Sequence, residues 1–188
     1  MIVCGVDEAG RGPLAGPVTA AAVILPDAAV ALISPADLRD SKCLSPSRRL
    51  RAAARIREVA LAWSTGWAWP EEIDELNIHH ATLLAMRRAV DALAIAPELV
   101  LVDGLFTPSL EAPARAIVRG DATVPPIIAA GIMAKTERDR WMTAYSAREP
   151  AWGFDRHKGY PTAEHRRLLG ELGPSPIHRR SFTLSAPS

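Results

Sequence analysis

Four acidic residues follow short apolar runs in this 188-residue chain, and their types and spacing could support chemistry. Asp7 and Glu8 come directly after the run 2–6, Asp103 ends a leucine- and valine-rich run, and Asp121 follows a shorter one. Strand carboxyl ends gather at one edge of an open α/β sheet, where loops diverge and sites form. Carboxylates brought together there repel one another and resist ionising together, and a divalent cation relieves that repulsion.

Oxygen ligands alone favour the hard cations Mg²⁺ and Mn²⁺. Two such ions, about 3.5–4 Å apart, can hold an attacking water and a leaving oxygen in line across one phosphate. The pattern therefore indicates a metal-dependent phosphodiester hydrolase with no side-chain nucleophile. Its metal ligands and catalytic groups would be Asp7, Glu8, Asp103 and Asp121. A small α/β protein whose acids only cap turns is the alternative that the residues leave open.

The first two acids are adjacent, which limits how they can share a site. Side chains alternate across a strand, so Asp7 and Glu8 point to opposite faces if both stay extended. We therefore expect Glu8 to reach the site of Asp7 only where the backbone bends. Gly10 and Gly12, on either side of Arg11, permit such a bend and a close approach of another backbone.

Hydrophobic periodicity predicts a mixed α/β arrangement that would position these acids. Strands are predicted at about 2–7, 18–25, 61–69, 98–103 and 114–118, and helices at about 46–60, 70–74, 77–94, 126–148 and 162–169. The short connection after the first strand favours an antiparallel hairpin. The helix before residue 98 allows a parallel crossover back to the first strand.

Composition excludes several classes of protein. The formal net charge is only +1, so binding to a polyanion must come from local basic clusters. Cys4 and Cys43 give neither a disulfide framework nor a metal-binding spacing, so a reducing cytoplasm is expected. The apolar stretch 13–26 is too short to span a bilayer, so no membrane partner is expected. We expect one domain, 1–188, and a monomer.

The segment 7–18, Asp-Glu-Ala-Gly-Arg-Gly-Pro-Leu-Ala-Gly-Pro-Val, resembles the opening motif of bacterial ribonuclease HII, the type 2 ribonuclease H family. Segments 39–45, 119–122, 132–139 and 158–162 are similar to other motifs of that family, and the resemblance runs from residue 2 to about 182. It implies a ribonuclease H-like fold: a mixed central sheet of about five strands flanked by helices. A C-terminal helical extension at about 149–188 would carry substrate contacts.

The resemblance also implies the reaction. The enzyme would hydrolyse the RNA strand of RNA/DNA hybrids and cut 5′ of single ribonucleotides embedded in duplex DNA. The products would carry 3′-hydroxyl and 5′-phosphate ends, and the biological role would be ribonucleotide removal. Asp7, Glu8, Asp103 and Asp121 match the family's four metal ligands.

Substrate contacts are assigned by the same resemblance. The backbone of Gly10-Arg11-Gly12 would hydrogen-bond the ribose 2′-hydroxyl and the adjacent phosphate, and Tyr160 would pack against the sugar on the deoxyribonucleotide side of an RNA–DNA junction. The candidate phosphate contacts are basic residues in matching segments: Lys42, Lys135, Lys158, Arg179 and Arg180.

Three departures from the family pattern fall near these segments. Cys43 replaces a second lysine, 123–126 replaces a serine-bearing stretch, and Gly131 stands in place of serine. We expect the last two to alter the backbone near Asp121. A nuclease for DNA alone and a hybrid-binding protein without activity remain as rivals, although the latter predicts loss of an acid and all four are present.

Overall fold

The computed structural model describes residues 1–184, and its centre is a mixed five-stranded sheet flanked by helices, as predicted. The strands are Val3–Ala9 (β1), Val18–Ile24 (β2), Ala62–Ala68 (β3), Leu99–Asp103 (β4) and Ala114–Ile117 (β5). Their order across the sheet is β3-β2-β1-β4-β5, which places β1 in the middle. The last four residues of the predicted domain, 185–188, lie outside the described part of the chain.

The pairing of β1 determines what lies beside its terminal acids. β1 runs antiparallel to β2, with Asp7 opposite Ala21, and parallel to β4, with Val6 opposite Val102. β4 is also parallel to β5. The hairpin and the parallel crossover predicted from the sequence are therefore confirmed. Asp7 and Asp103 each follow the last pair matched between β1 and β4, so the register makes them lateral neighbours at one edge of the sheet.

Three longer helices and four shorter ones surround the sheet in the described residues. They are Asp27–Val30 (α1), Pro46–Val59 (α2), Pro70–Asp91 (α3), Gly120–Thr123 (α4), Pro125–Ser146 (α5), Phe154–His157 (α6) and Ala163–Leu172 (α7). Ser45 caps α2 by accepting a hydrogen bond from the amide of Arg48. Asn77, with φ 68°, kinks α3 and explains why the sequence predicts two helices there. The single-turn helices α1, α4 and α6 were not predicted because one turn carries no periodicity.

The two faces of the sheet are covered by different helices. Cys4 and Val6 pack with Met86 on the side of α3. Gly5 faces α5 so closely that a β-carbon there would lie 2.1 Å from the carbonyl carbon of Pro126. Because side chains alternate along β1, Asp7 continues the α5 face and Glu8 continues the α3 face.

The C-terminal segment packs against the loop that follows β1. The Leu14 amide donates to the carbonyl of Gly159 at 2.8 Å, and the Gly16 amide donates to Ile177 at 2.9 Å. These bonds bring the segment around α6 and α7 beside the glycine-rich loop. Within residues 1–184, no helix combines the length and the apolar character needed to cross a membrane.

Candidate active site

Asp7 and Glu8 both remain on the extended strand. β1 stays paired with β2 through Ala9, so the backbone does not bend between the two acids. The expected bend comes later, at Gly10, where φ is 90°. Glu8 therefore stays on the α3 face, in a small cavity that Asp103 and Arg11 also line. The expectation that a bend brings Glu8 to Asp7 was wrong. The two acids instead share a neighbour, Asp103, at the end of the adjacent strand β4.

Asp103 is that shared neighbour. It lines the cavity with Glu8, and its Oδ1 accepts a hydrogen bond of 3.2 Å from the amide of Asp121. Asp121 does not follow β5 directly, because Arg119 adopts a left-handed conformation (φ 56°) and the chain then enters α4. This turn directs the chain back toward Asp103. The three strand ends therefore bring all four predicted acids to one place.

The electrostatics of these acids show how strongly they interact. Burial raises the pKa of the Asp7 carboxyl well above its usual range, and the charges of Glu8, Asp103 and Asp121 raise it further. Burial also raises the pKa of Glu8; Arg11 opposes that rise and Asp103 adds to it. The pKa of Asp121 is raised by burial and then by Asp103. Asp103 thus acts on each of the other three carboxyls.

Two basic side chains partly neutralise the acid cluster. A guanidinium nitrogen of Arg11 lies 3.6 Å from Glu8 Oε1, and Lys42 Nζ lies 4.0 Å from Asp121 Oδ2. The structure thus places Lys42, a predicted phosphate contact, at the acids themselves. Its side chain is 81% exposed, so it remains free to move toward a bound anion.

The donor set fits a hard divalent cation. All four groups offer carboxylate oxygens, and their mutual repulsion is the kind that a cation relieves. In the part of the chain that the structure describes, no three acidic, histidine or cysteine side chains converge closely enough to chelate one ion. The acids would therefore have to draw together around it, with Arg11 and Lys42 giving way.

Gly131 lies against Asp7, whereas the sequence suggested that it would alter the backbone near Asp121. A β-carbon at Gly131 would lie 2.3 Å from Asp7 Oδ2. The missing side chain on α5 is therefore what leaves room for the Asp7 carboxylate in this position. Asp121 itself lies in the first turn of the short helix α4, after the left-handed Arg119.

The Gly10-Arg11-Gly12 segment begins directly after β1. The carbonyls of Gly10 and Arg11 both accept hydrogen bonds from the guanidinium of Arg179. All described peptide bonds are trans, so the next amides, those of Arg11 and Gly12, point the opposite way. Neither amide hydrogen-bonds to another residue in the range 1–184. Two adjacent N–H groups without a protein partner are donors that an anionic or hydroxyl oxygen could accept from.

Arg179 does not lie where a phosphate contact would need it. Its side chain is 0% exposed, and among residues 1–184 it donates only to backbone carbonyls, those of Gly10, Arg11 and Gly16. Burial lowers its pKa to about 9, and the nearby charge of Arg138 contributes. The prediction that Arg179 meets substrate phosphate directly is therefore corrected. Arg180 is exposed, and its amide donates to Asp74.

Tyr160 is half-buried, and its ring faces two cationic side chains. Lys135 Nζ lies 5.0 Å from the ring centre and the Arg138 guanidinium lies 5.7 Å from it. Lys158 precedes Tyr160 on the same loop, but its ammonium group is bonded to the carbonyl of Asp155. Lys135 thus lies beside Tyr160, but its ammonium group donates to Asp139 Oδ1 at 2.7 Å. Both lysines would have to leave a protein partner to meet a ligand.

Arg138 is a buried residue beside the site that sequence reasoning did not single out. It is fully buried, and it contacts both the glycine-rich loop and the loop of Tyr160. One signal was available: Ala134, Arg138 and Met142 recur every four residues on α5, so a charged residue stands in an otherwise apolar stripe.

Comparisons with known proteins identify the family of the chain. The Ribonuclease HII family profile matches residues 4–185. Ribonuclease HII of Laribacter hongkongensis (strain HLHK9) is 58% identical over 183 residues, which covers 96% of this chain and 90% of that protein. The crystal structure of ribonuclease H2 from Pyrococcus horikoshii OT3 has a TM-score of 0.82 at 26% identity, covering 98% of this chain and 95% of that one.

A more distant structure shares the fold alone. Bst-RNase HIII in complex with Mn²⁺ has a TM-score of 0.74 at 18% identity and covers 98% of this chain and 68% of its own. The predicted ribonuclease H-like architecture is therefore confirmed. Together, the family profile and the curated bacterial relative show that this chain belongs to the ribonuclease HII family and is a type 2 ribonuclease H.

Proposed function

We propose that the enzyme hydrolyses the RNA strand of RNA/DNA hybrids and cuts 5′ of single ribonucleotides in duplex DNA, leaving 3′-hydroxyl and 5′-phosphate ends. One observation carries the proposal beyond family membership. The four-acid cluster at the ends of β1 and β4 lies next to the free amides of Arg11 and Gly12. The acids proposed to cleave the phosphodiester and the amides proposed to recognise the adjacent 2′-hydroxyl are thus only a few residues apart in the chain.

The acids would hold the metal. Asp7, Glu8, Asp103 and Asp121 would bind Mg²⁺ or Mn²⁺, which when bound neutralises charge and activates the attacking water. The ribonuclease HIII structure with Mn²⁺ is similar in fold alone, so the proposal rests on this chain's own donor set. Without a metal, Arg11 and Lys42 neutralise part of the negative charge of the acids. A metal bound by the acids would release these two cationic side chains, which could then contact substrate phosphates.

The remaining residues recognise the substrate. A ribonucleotide differs from a deoxyribonucleotide by its 2′-hydroxyl, which can both donate and accept a hydrogen bond. The amides of Arg11 and Gly12 would hold that hydroxyl oxygen and the adjacent phosphate. The Tyr160 ring would pack against the following deoxyribose, and Lys42, Lys135 and Lys158 would contact phosphates without sequence preference.

The test uses three labelled duplexes: all-DNA, DNA with one ribonucleotide, and an RNA/DNA hybrid. We expect cutting of the second and third with Mg²⁺ or Mn²⁺ and none with EDTA. The upstream product should be extended by a DNA polymerase, which requires a 3′-hydroxyl end. Asp103→Asn should bind the duplex without cutting it. Equal cutting of all-DNA duplex would favour the DNA nuclease instead.

A further inference from the structure

Two buried arginines connect the segments proposed to read the substrate. Arg138 and Arg179 are each 0% exposed and donate to carbonyls of the loop after β1. We propose that they are positioning residues, which set the orientation of the Arg11 and Gly12 amides and their distance from Tyr160, and so determine selection of the ribonucleotide. This inference rests on the proposed function and adds residues that act through the substrate-reading groups.

Arg179 determines which way the amides point. Its guanidinium binds the carbonyl oxygens of Gly10 at 2.5 Å and Arg11 at 2.9 Å, while its Nε binds Gly16 at 2.9 Å. In a trans peptide the carbonyl of one residue and the amide of the next point in opposite directions. Pulling two successive carbonyls inward therefore turns two successive amides outward, at Arg11 and Gly12.

Arg138 sets the distance between the two reading segments. Its Nε binds the Pro17 carbonyl at 2.8 Å, and one terminal nitrogen binds Ala15 at 3.1 Å. The other terminal nitrogen binds the Lys158 carbonyl at 3.0 Å, two residues before Tyr160. One planar group thus joins the loop after β1 to the loop of Tyr160. A β-carbon at Gly10 would lie 2.0 Å from Arg138 Nε, which shows how closely that loop is seated.

The chemistry of these contacts requires arginine. A guanidinium presents five donors in a rigid fork, whereas a lysine ammonium is a compact point charge. Neither Arg138 nor Arg179 forms an ion pair with a carboxylate in the range 1–184, and each donates three hydrogen bonds to backbone carbonyls. Burying two unpaired charges is costly, and apolar side chains would fill the same space at lower cost. Their positive charge behind the two free amides also favours an anion in front of them.

The test separates positioning from simple stability. Arg179→Lys and Arg138→Lys are compared with Arg88→Lys, in which a guanidinium bound to the Trp67 carbonyl and Glu72 is lost away from the site. Substrate affinity comes mainly from phosphate contacts, so KM should change little. Losing a charge-assisted hydrogen bond that orients the amides should lower kcat by about 10- to 100-fold on the single-ribonucleotide duplex. Arg88→Lys should lower the melting temperature and leave kcat unchanged.

Two further measurements test the same inference through hydrogen exchange and through chemical rescue. Hydrogen exchange of the 10–17 peptide should speed up in Arg179→Lys and not in Arg88→Lys. Activity of Arg179→Ala should be restored by added guanidinium and not by sodium chloride at the same ionic strength. Wild-type kcat together with unchanged exchange in Arg179→Lys would overturn the inference. If the wild-type enzyme cuts no ribonucleotide substrate, the proposed function fails, whereas the exchange result still decides whether the arginines orient the loop.

Discussion

Gly131 of α5 lies against Asp7 of β1, so close that a β-carbon would come within 2.3 Å of Asp7 Oδ2. The Asp7 carboxylate can therefore occupy this position because residue 131 of the opposite helix has no side chain. Its position in the acid cluster depends on this contact as much as on its own strand. A residue with no side chain can thus influence the proposed metal ligand Asp7 from the opposite helix.

Gly131→Ala should raise the metal concentration needed for half-maximal activity, because the added methyl group forces Asp7 to rotate. Small misplacements of catalytic groups can lower rates by about 100-fold. Gly131→Ser should be less harmful, since its hydroxyl can donate a hydrogen bond to the displaced carboxylate. Mg²⁺ titrations of cleavage rate would measure both. Identical metal dependence in all three proteins would contradict the proposed effect on Asp7.

Asp7→Asn should abolish cleavage and stabilise the metal-free protein at neutral pH. The folded pKa of Asp7 is raised by burial and by neighbouring acids, so the fold favours its protonated form. That stability is fully present below the unfolded pKa and is lost as pH rises through the folded pKa. Urea unfolding in EDTA should therefore show an advantage of Asp7→Asn that grows with pH. If the difference in unfolding free energy between Asp7→Asn and wild type stayed constant or shrank as pH rises, a raised pKa of the Asp7 carboxyl would be contradicted.

Gly12→Ala and Gly10→Ala should separate substrate recognition from folding. Nothing lies within 4 Å of a β-carbon built at Gly12, whereas Gly10 has φ +90° and faces Arg138. Gly10→Ala should therefore lower the free energy of unfolding strongly, and Gly12→Ala should change it by less than about 0.5 kcal/mol. Gly12→Ala should still lower kcat/KM on the single-ribonucleotide duplex, because the empty space is proposed to receive the substrate. Wild-type kcat/KM in that variant would remove Gly12 from the recognition segment.

Two buried histidines of the C-terminal segment, His165 and His178, form a hydrogen-bonded cluster that should make the protein sensitive to acid. Burial, with help from His165, lowers the pKa of His178 to about 4. His178 Nδ1 accepts from the Ser175 amide, so the proton of the neutral ring is on Nε2, which lies 3.0 Å from Nε2 of His165. His165 then carries its proton on Nδ1 and donates to the Tyr160 carbonyl. The neutral cluster is thus fully bonded and supports the loop of Tyr160.

A lowered histidine pKa gives stability that is present above the unfolded value and lost as pH falls toward the folded one. Between pH 6.5 and 4 the loss from His178 should reach at most about 3 kcal/mol. His178→Asn should flatten the unfolding free energy over this range, since an amide oxygen can still accept from Ser175. The exposed His80→Asn serves as the control. An equally steep pH profile in His178→Asn would show that another group is responsible.

Much of the site could be predicted because its residues lie in local patterns. Asp7, Glu8 and Asp103 end apolar runs, and the parallel register of β1 and β4 brings those ends together. The antiparallel pairing of β1 with β2 and its parallel pairing with β4 also followed from connection length and a crossover helix. Asp121 was predicted as an acid after a strand, although a left-handed residue at Arg119 had to turn the chain first.

The sequence could not predict which residues are buried or which distant segments they contact. Arg179 reads as one more basic residue in a basic segment, yet it is enclosed by backbone carbonyls from a loop more than 160 residues away in the chain. Gly131 reads as a departure near Asp121, whereas the crossing of α5 over β1 places it at Asp7. Both depend on contacts between distant segments, and such contacts leave no periodic signal.

The central claim is that four carboxylates from three strand ends bind the cation that acts on the scissile phosphodiester. Anomalous diffraction from crystals soaked in Mn²⁺ tests it most directly, with Asp103→Asn as the matched control. We predict strong peaks within coordination distance of Asp7, Glu8, Asp103 and Asp121, weakened or lost in the variant. Saturating Mn²⁺ that leaves these carboxylates without a peak, or that binds only elsewhere, would contradict the account.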